Sequence, residues 1–254
     1  MSNLIKMELY KLRTSKLFFI LLCISIGLNG IIAGVVPMVT QTLTGKNLNV
    51  NLSDIFVSPY QLDMLVMLLF ISAVSFLYLD FSNGYIKNIA GQLQNRSGIV
   101  LAKFITIAIH NLIFLVAASL SNIIGTAISG LLAADGDILA GIATLLIKWM
   151  LSLALCSILM FFAVGLRNKT IAIILGVMFS IGAFSLIYLG IDSLISNFLK
   201  VKDFSLGNYM PDSLFSSVNV IKNELVVNGI IVAIVFIVLF YVLTNITFKK
   251  RDIK

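Results

Sequence analysis

Apolar residues in this chain form six long runs that are separated by shorter polar segments. Each run approaches or exceeds the ~20 residues that an α-helix needs to cross a hydrocarbon layer of ~30 Å. The pattern therefore predicts an all-α polytopic membrane protein with six transmembrane helices in one transmembrane domain, residues 1–254. The predicted spans are about 17–37, 61–79, 99–131, 138–166, 170–191 and 225–248.

The segment before the first run, residues 1–16, is amphipathic at helical spacing. Ile5, Leu9 and Leu12 fall on one side of such a helix, whereas its basic residues fall elsewhere. This predicts a helix that lies on the inner membrane surface. The first run has the basic flank of a signal peptide, but it is longer than a signal-peptide core and lacks a convincing cleavage site. We therefore interpret it as an uncleaved span.

Composition agrees with a membrane protein. Hydrophobic residues make up 59% of the chain and charged residues 11%, whereas roughly 25% of a soluble domain is charged. The formal net charge is +7, but the basic residues sit in short clusters beside apolar runs. Such clusters indicate membrane orientation rather than nucleic-acid binding.

The basic residues are unequally divided between the two predicted sides of the membrane. Of the 18 Lys and Arg residues, 13 fall on the side of both termini, 4 on the other side, and Lys148 lies within a span. The excess marks the cytoplasmic side. We expect a multi-pass protein of the bacterial plasma membrane, with both termini in the cytoplasm and a mostly polar extracellular loop at 192–224.

Catalytic chemistry has little support in the sequence. The chain has one histidine, His110, and two glutamates, Glu8 and Glu224, too few for an intramembrane metalloprotease. Residues 165–170 end in Lys-Thr but lack the second glycine of a phosphate-binding loop. We expect a chain that is not an enzyme, binds no cofactor or metal itself, and depends on another chain for any ATP hydrolysis.

Polar residues inside the spans are the remaining candidates for function, because burying them costs free energy unless they are partnered. Four uncharged ones lie in the third span, where they either join helices by hydrogen bonds or line a translocation path. These four are His110, Asn111, Ser121 and Asn122. Lys148, beside Trp149, either reaches the outer interface by snorkelling, which we favour, or acts as an intramembrane charge.

Small residues recur every fourth position in the fifth span, at Ala172, Gly176 and Ser180. Such a ladder lets two helices approach closely. The sequence leaves open whether the partner helix belongs to the same chain or to a second subunit.

The loop between the second and third spans, residues 80–98, combines a turn with a short amphipathic helix. Asn83-Gly84 is a strong turn signal, and Tyr85, Ile86 and Ile89 give the following residues an apolar edge. This predicts a short helix that either docks on a partner protein or rests on lipid headgroups.

Two segments resemble the permease subunits of type-2 ATP-binding-cassette exporters, particularly small bacterial permeases for bacteriocins, lantibiotics and other membrane-active peptides. The first is the amphipathic helix with Glu8 running directly into the first span, which is similar to the family's elbow helix. The second is the loop, with an acid, an Asn-Gly-x-x-Lys-Asn sequence and a later basic-hydroxyl pair. Asp80 stands where many relatives have glutamate, and Arg96-Ser97 reverses the commoner order.

The resemblance implies that the loop is a cytoplasmic coupling helix that docks, with the elbow helix, on an ABC ATPase subunit. The coupling residues would be Glu8, Asp80, Asn83, Gly84, Tyr85, Ile86, Lys87, Asn88 and Arg96. The resemblance also implies a second permease chain, identical or paralogous. ATP and Mg would be bound by the partner ATPase.

The function expected from this resemblance is the permease of an ATP-driven exporter that moves hydrophobic or amphipathic peptides, for antimicrobial-peptide export or immunity. Membrane lipid and peptide cargo would be its further partners. The alternatives are an exporter of lipid-linked glycans or drugs, and a peptide-immunity or sensor protein that does not pump.

Overall fold

A computed structural model describes the chain in seven segments and two isolated residues, Ile55 and Val220. The segments are residues 2–45, 50–51, 63–84, 97–133, 137–199, 205–218 and 225–250. Helices predominate in all the longer segments, and the strands are limited to two residues each, β1 (Val50–Asn51) and β2 (Leu132–Ala133). The fold is therefore all-α, as the apolar runs predict.

Within the described residues, five helical stretches are long and apolar enough to cross a membrane, and a bent pair of helices is a sixth candidate. They follow a separate amphipathic helix, α1 (Ser2–Thr14). The five are α2 (Lys16–Thr44), α3 (Asp63–Ser82), α4 (Ser97–Ile128), α5 (Ile138–Met160, extended by a π-helical turn Phe161–Gly165) and α9 (Val226–Lys250). The bent pair is α6 (Lys169–Ser180) with α7 (Ala183–Leu199).

The boundary between α1 and α2 is set by Ser15, which has an extended backbone and accepts a hydrogen bond on Oγ from the Phe18 amide at 3.4 Å. This N-cap starts a new helix and separates the amphipathic segment from the first span. At the other end, α2 continues past Pro37 to Thr44, seven residues beyond the predicted run. A proline inside a helix removes one hydrogen bond, and membrane helices tolerate that loss.

The predicted fifth span, 170–191, is not one straight helix. The axes of α6 and α7 differ by 69°, and the break falls at Ile181 and Gly182. Gly182 adopts a positive φ of 64°, which ends α6 in the way that a glycine commonly ends a helix. The apolar run continued through this break, so the sequence pattern alone did not reveal it.

Where the structure describes it, the polar loop predicted for 192–224 is largely helical. Helix α7 extends to Leu199, and a 3₁₀ turn (Leu206–Tyr209) then precedes the short helix α8 (Pro211–Ser217). This helix packs on α5 and α9, and the Val220 amide donates to Thr144 Oγ1 of α5 at 3.1 Å. Its apolar residues are buried, namely Pro211, Leu214 and Phe215, together with the following Val218. The segment therefore folds back onto the bundle.

Helices α2 and α4 run parallel and touch at their backbones. A Cβ atom added to Gly125 of α4 would overlap the carbonyl oxygen of Gly30, and one added to Gly34 would lie 3.0 Å from the Gly125 oxygen. Ser121 Oγ donates to the Ile26 carbonyl oxygen at 2.5 Å. Small residues at a helix crossing allow this approach. Beyond the crossing, β1 and β2 pair in parallel, Val50 with Leu132.

The small-residue ladder of the fifth span faces the interior of this chain. Ala172, Gly176 and Ser180 are all buried, and a Cβ on Gly176 would lie 3.1 Å from the Cβ of Phe70 in α3. The ladder therefore packs within the bundle, which decides between the two partners that the sequence left open.

Candidate functional site

The amphipathic helix α1 does not rest its apolar side on lipid. Leu12 and Glu8 are only 4% and 1% exposed, because this side of α1 packs on α4. An acid that is buried in this way needs a cationic partner. The structure supplies two, one from α1 itself and one from α4.

Glu8, Lys11, Asp80 and Lys103 form a closed ring of alternating charges, which we call the ionic cluster. Lys11 Nζ lies 2.9 Å from Glu8 Oε1 and 2.7 Å from Asp80 Oδ1. Lys103 Nζ lies 2.5 Å from Asp80 Oδ2 and 3.4 Å from Glu8 Oε2. Each lysine therefore bridges both carboxylates, and three helices, α1, α3 and α4, meet at the cluster.

Burial makes this cluster sensitive to the loss of any member. The side chains of Glu8, Asp80 and Lys103 are at most 4% exposed, and that of Lys11 is 18% exposed. Two acids balance two lysines, so the cluster is neutral as a whole. Removing one partner of a buried ion pair strands the other charge and typically costs about 3–5 kcal/mol.

The pKa of Lys11 reflects its pairing with the two acids. Burial opposes its charged form, but hydrogen bonds and charge attraction from Asp80 and Glu8 outweigh burial, and its pKa is raised above 10.5. Lys11 therefore stays protonated at neutral pH, and the ring of opposite charges is complete.

A cleft of about 290 Å³ opens beside the cluster, between α1 and the end of α3. Lys11 and Asp80 line its floor, and the exposed ring of Tyr10 forms part of its rim. Helix α3 ends immediately afterwards: the Asn83 amide donates to the Leu79 carbonyl, and Gly84 adopts a positive φ of 66°. The cleft thus lies where the chain leaves α3 for the loop.

The same end of α3 also contacts the turn between α5 and α6. The guanidinium carbon of Arg167 lies 5.7 Å from the ring centre of Phe81, and that ring packs edge-to-face on Phe248 of α9. Arg167 has a positive φ of 56°, and Asn168 caps α6 by accepting from the Ile171 amide at 3.0 Å. The α5–α6 turn and the end of α9 are therefore both held against the end of α3.

A second polar group, which we call the His110 network, lies farther along α4 and consists of uncharged hydrogen-bonding residues. Ser72 Oγ of α3 lies 2.9 Å from His110 Nε2, and His110 Nδ1 lies 3.2 Å from Asn111 Oδ1. Because an amide oxygen only accepts, Nδ1 carries the proton and Nε2 accepts from Ser72. Asn111 Nδ2 then donates to Ser152 Oγ at 3.2 Å and to Cys156 Sγ at 3.4 Å in α5.

A protein-family model described as an ABC-2 family transporter protein matches residues 4–185. The chain belongs to the ABC-2 transporter family. The search of curated proteins finds no match.

Family membership confirms the resemblance and the all-α polytopic fold. The ABC-2 protein is thus a multi-pass membrane permease subunit of an ABC transporter, and the family implies an ABC ATPase partner. The matched residues contain the whole ionic cluster, the α3–α4 loop and the His110 network.

The residues predicted for coupling divide into three groups. Glu8 and Asp80 belong to the ionic cluster, whereas Asn83 and Gly84 form the exposed turn that ends α3. The others lie outside the residues that the structure describes: Tyr85, Ile86, Lys87, Asn88 and Arg96.

Two members of the cluster were missed by sequence reasoning. Lys11 and Lys103 were considered as orientation charges and as parts of the two segments that resemble the family, but not as partners of an ion pair. The signals available were the i, i+3 spacing of Glu8 and Lys11 and the position of Lys103 among apolar residues of the third span. A lysine there is costly unless it has a partner.

The ABC-2 permease uses its polar span residues in helix contacts in this conformation. His110 and Asn111 are fully buried and join α3, α4 and α5. Ser121 bonds to α2, and Asn122 is 5% exposed beside it. Their role in lining a path stays a prediction.

The snorkelling expected for Lys148 is wrong. Its side chain is fully buried, and Nζ lies 5.9 Å from the ring centre of Phe215 in α8. The folded-back segment covers this part of α5, so Lys148 does not extend to an exposed interface. Within the described ranges, no group of three or more His, Cys, Asp or Glu side chains is placed to hold a metal ion.

Proposed function

We propose that this permease is the membrane subunit of an ATP-driven exporter, and that its ATPase docks on the α3–α4 loop and on α1. The observation that carries the proposal is the ionic cluster. It joins α1 to both helices that flank the loop. A movement of the ATPase that displaces the loop or α1 would therefore displace α3 and α4 together.

The cluster suits force transmission because it is short, buried and closed. Asp80 lies in the last turn of α3, three residues before Asn83, and Lys103 lies about two turns into α4. A contact between the two helices so close to the loop prevents them from separating independently. The cleft lined by Lys11 and Asp80 gives the ATPase a recess next to this point.

ATP and Mg belong to the partner ATPase in this proposal, and the permease chain contributes no catalytic group. Two permease chains, identical or paralogous, would assemble with two ATPase subunits. The cargo would move between the two permease chains. Both termini lie in the cytoplasm of a bacterial cell in this proposal, which the excess of basic residues on their side supports.

The proposed cargo is a hydrophobic or amphipathic peptide. A groove of about 720 Å³ between α2 and α4 supports this, because its lining is apolar apart from two serines. Peptide export or immunity against membrane-active peptides fits this groove, and lipid surrounds the exposed helices.

The test of docking is a double substitution in the loop, Tyr85→Asp with Ile86→Asp. If these residues seat in an ATPase groove, the added charges enter a desolvated contact and weaken docking by more than tenfold. We expect normal membrane insertion, loss of the co-purifying ATPase and loss of peptide export or resistance.

The matched control is Lys46→Gln with Lys200→Gln on the opposite side of the membrane, which should leave ATPase binding intact. Retention of both ATPase binding and export by the loop variant would overturn the docking proposal. It would favour a peptide-immunity or sensor protein that does not pump. Export of lipid-linked glycans or drugs but not of peptides would overturn the cargo assignment alone.

A further inference from the structure

The face of α1 that points away from the bundle is basic. Lys6, Tyr10 and Arg13 are exposed, and at 100° per residue they fall within about 60° of one another around the helix. Lys16, the first residue of α2, is also exposed. We call these four residues the basic elbow face.

No acidic side chain of α1 offsets this charge. The only acid in the helix is Glu8, which is 1% exposed on the opposite side and paired with Lys11 and Lys103. Packing against the bundle thus leaves Lys6 and Arg13 on the outer face of α1, and the exposed Lys16 follows three residues after Arg13 at the start of α2. A face with this charge attracts anions.

The residues at the start of α2 indicate where the basic elbow face lies relative to the membrane. Leu17, Phe19 and Ile20 at the start of α2 are 44%, 45% and 58% exposed, and exposed apolar side chains on a span contact lipid chains. Lys16 precedes Ile20 by only about 6 Å along the helix. The cations therefore lie at the level of the lipid headgroups, where a tyrosine ring such as Tyr10 is also favoured.

We propose that the basic elbow face binds the phosphate of an anionic phospholipid headgroup. Lys6, Arg13 and Lys16 supply the charge, and the acyl chains of the lipid continue along the exposed apolar surface of α2. Continuity with that surface favours a lipid over a protein partner. Each basic residue near an anionic surface contributes about fivefold to binding, and the attraction is screened by salt.

The experiment uses the purified full-length permease in phosphatidylcholine nanodiscs with a trace of photoactivatable phosphatidylglycerol. Cross-linked residues are mapped by mass spectrometry, and unlabelled phosphatidylglycerol or phosphatidylcholine competes. We expect cross-links within residues 3–16, at least tenfold better competition by phosphatidylglycerol, and weaker labelling at high salt.

The decisive variant is Lys6→Gln with Arg13→Gln and Lys16→Gln, which should lose roughly tenfold or more of this labelling. The charge-conserving variant Lys6→Arg with Arg13→Lys and Lys16→Arg should keep it. So should Lys249→Gln with Lys250→Gln, a control that removes exposed lysines at the end of α9. All variants should unfold at the wild-type temperature in phosphatidylcholine, because the substituted side chains are exposed.

Equal competition by the two lipids would overturn the proposal, as would unchanged labelling of the triple glutamine variant. If that variant keeps its labelling but loses the ATPase in lipid-free detergent, the basic elbow face is a protein contact instead. The lipid experiment needs no ATPase, so its result is independent of the proposed export function.

Discussion

The ammonium group of Lys103 lies 2.5 Å from the Asp80 carboxylate, across the two helices that flank the α3–α4 loop. Both side chains are almost completely buried. A single ion pair therefore joins the helix that enters the loop to the helix that leaves it, and Lys11 and Glu8 extend the connection to α1.

Replacing Asp80 by Asn should destabilise the permease by about 3–5 kcal/mol, because Lys11 and Lys103 would then share one carboxylate in a buried site. The double variant Asp80→Asn with Lys103→Met should be milder than Asp80→Asn or Lys103→Met alone, since it removes both charges and leaves the Glu8–Lys11 pair. Unfolding of the four proteins in detergent gives the coupling energy. Lys169→Gln, at an exposed position, is the control. Additive effects of the two substitutions would contradict a direct ion pair.

Replacing His110 by Phe should cost about 0.6 kcal/mol and at most about 1.7, the range for hydrogen bonds between membrane helices. The new ring keeps contacts with Phe18 and Phe114, whose ring centres lie 5.2 and 4.9 Å from that of His110. Transport should persist if the His110 network only packs helices. Loss of transport by a stably folded variant would assign His110 to the path.

Substituting Ala for Gly125 should destabilise the permease by about 1–3 kcal/mol, because its Cβ would overlap the Gly30 carbonyl oxygen. Gly27→Ala in α2 is the matched control, since nothing lies within 4 Å of its added Cβ. That change should be neutral or stabilising, as alanine favours helices over glycine. Similar thermal shifts for both variants would argue against a tight crossing.

Asp212 in α8 should give the permease a pH-dependent stability. Burial raises the pKa of this carboxyl above 3.8 despite the hydrogen bond that Tyr188 donates at 3.0 Å. The folded state then holds this proton more tightly than the unfolded state. The resulting stabilisation is complete below pH 3.8 and is lost as the pH rises through the folded-state pKa.

Asn at position 212 keeps the acceptor for Tyr188 but removes the charge. We expect the Asp212→Asn variant to unfold at a higher temperature than wild type at pH 7, with the difference shrinking as the pH approaches 4. Thermal unfolding across this pH range measures it. A constant difference between the two proteins at every pH would exclude titration of Asp212 as the cause.

Cysteine labelling tests the orientation proposed from the basic residues. Cysteines at positions 49 and 208 should react with a membrane-impermeant reagent added to intact cells, and a cysteine at position 94 should not. Labelling at 94 would invert the assignment of sides and remove the α3–α4 loop from the reach of a cytoplasmic ATPase.

The sequence predicted the features that depend on local pattern. Apolar runs located the spans because each must bury its backbone polar groups in a helix, and the amphipathic spacing of residues 1–16 located α1. Glu8 and Asp80 entered the candidate site through a family resemblance rather than through any contact that the pattern revealed.

What the sequence did not predict depends on contacts between distant segments. The burial of Lys103 and of Lys148 follows from α1 and α8 folding over them, and neither helix adjoins its lysine in the chain. The bend depends on the positive φ of Gly182, a conformation that a glycine can adopt but that its presence in a sequence does not require. Hydropathy records how apolar a segment is but not which residues cover it.

The backbone contact at Gly125 and the ring contact between Phe18 and His110 hold α4 to α2 at two levels, 15 residues or about 22 Å apart along α4. A rod pinned to another rod at two separated points can neither twist nor slide against it. Helices α2 and α4 should therefore move as one rigid unit during transport, with α1 and the end of α3 attached to it by the ionic cluster, and relative motion should fall at its borders with less tightly packed helices. A disulfide that locks α2 to α4 should leave turnover unchanged, whereas one that locks this unit to α9 should stop it.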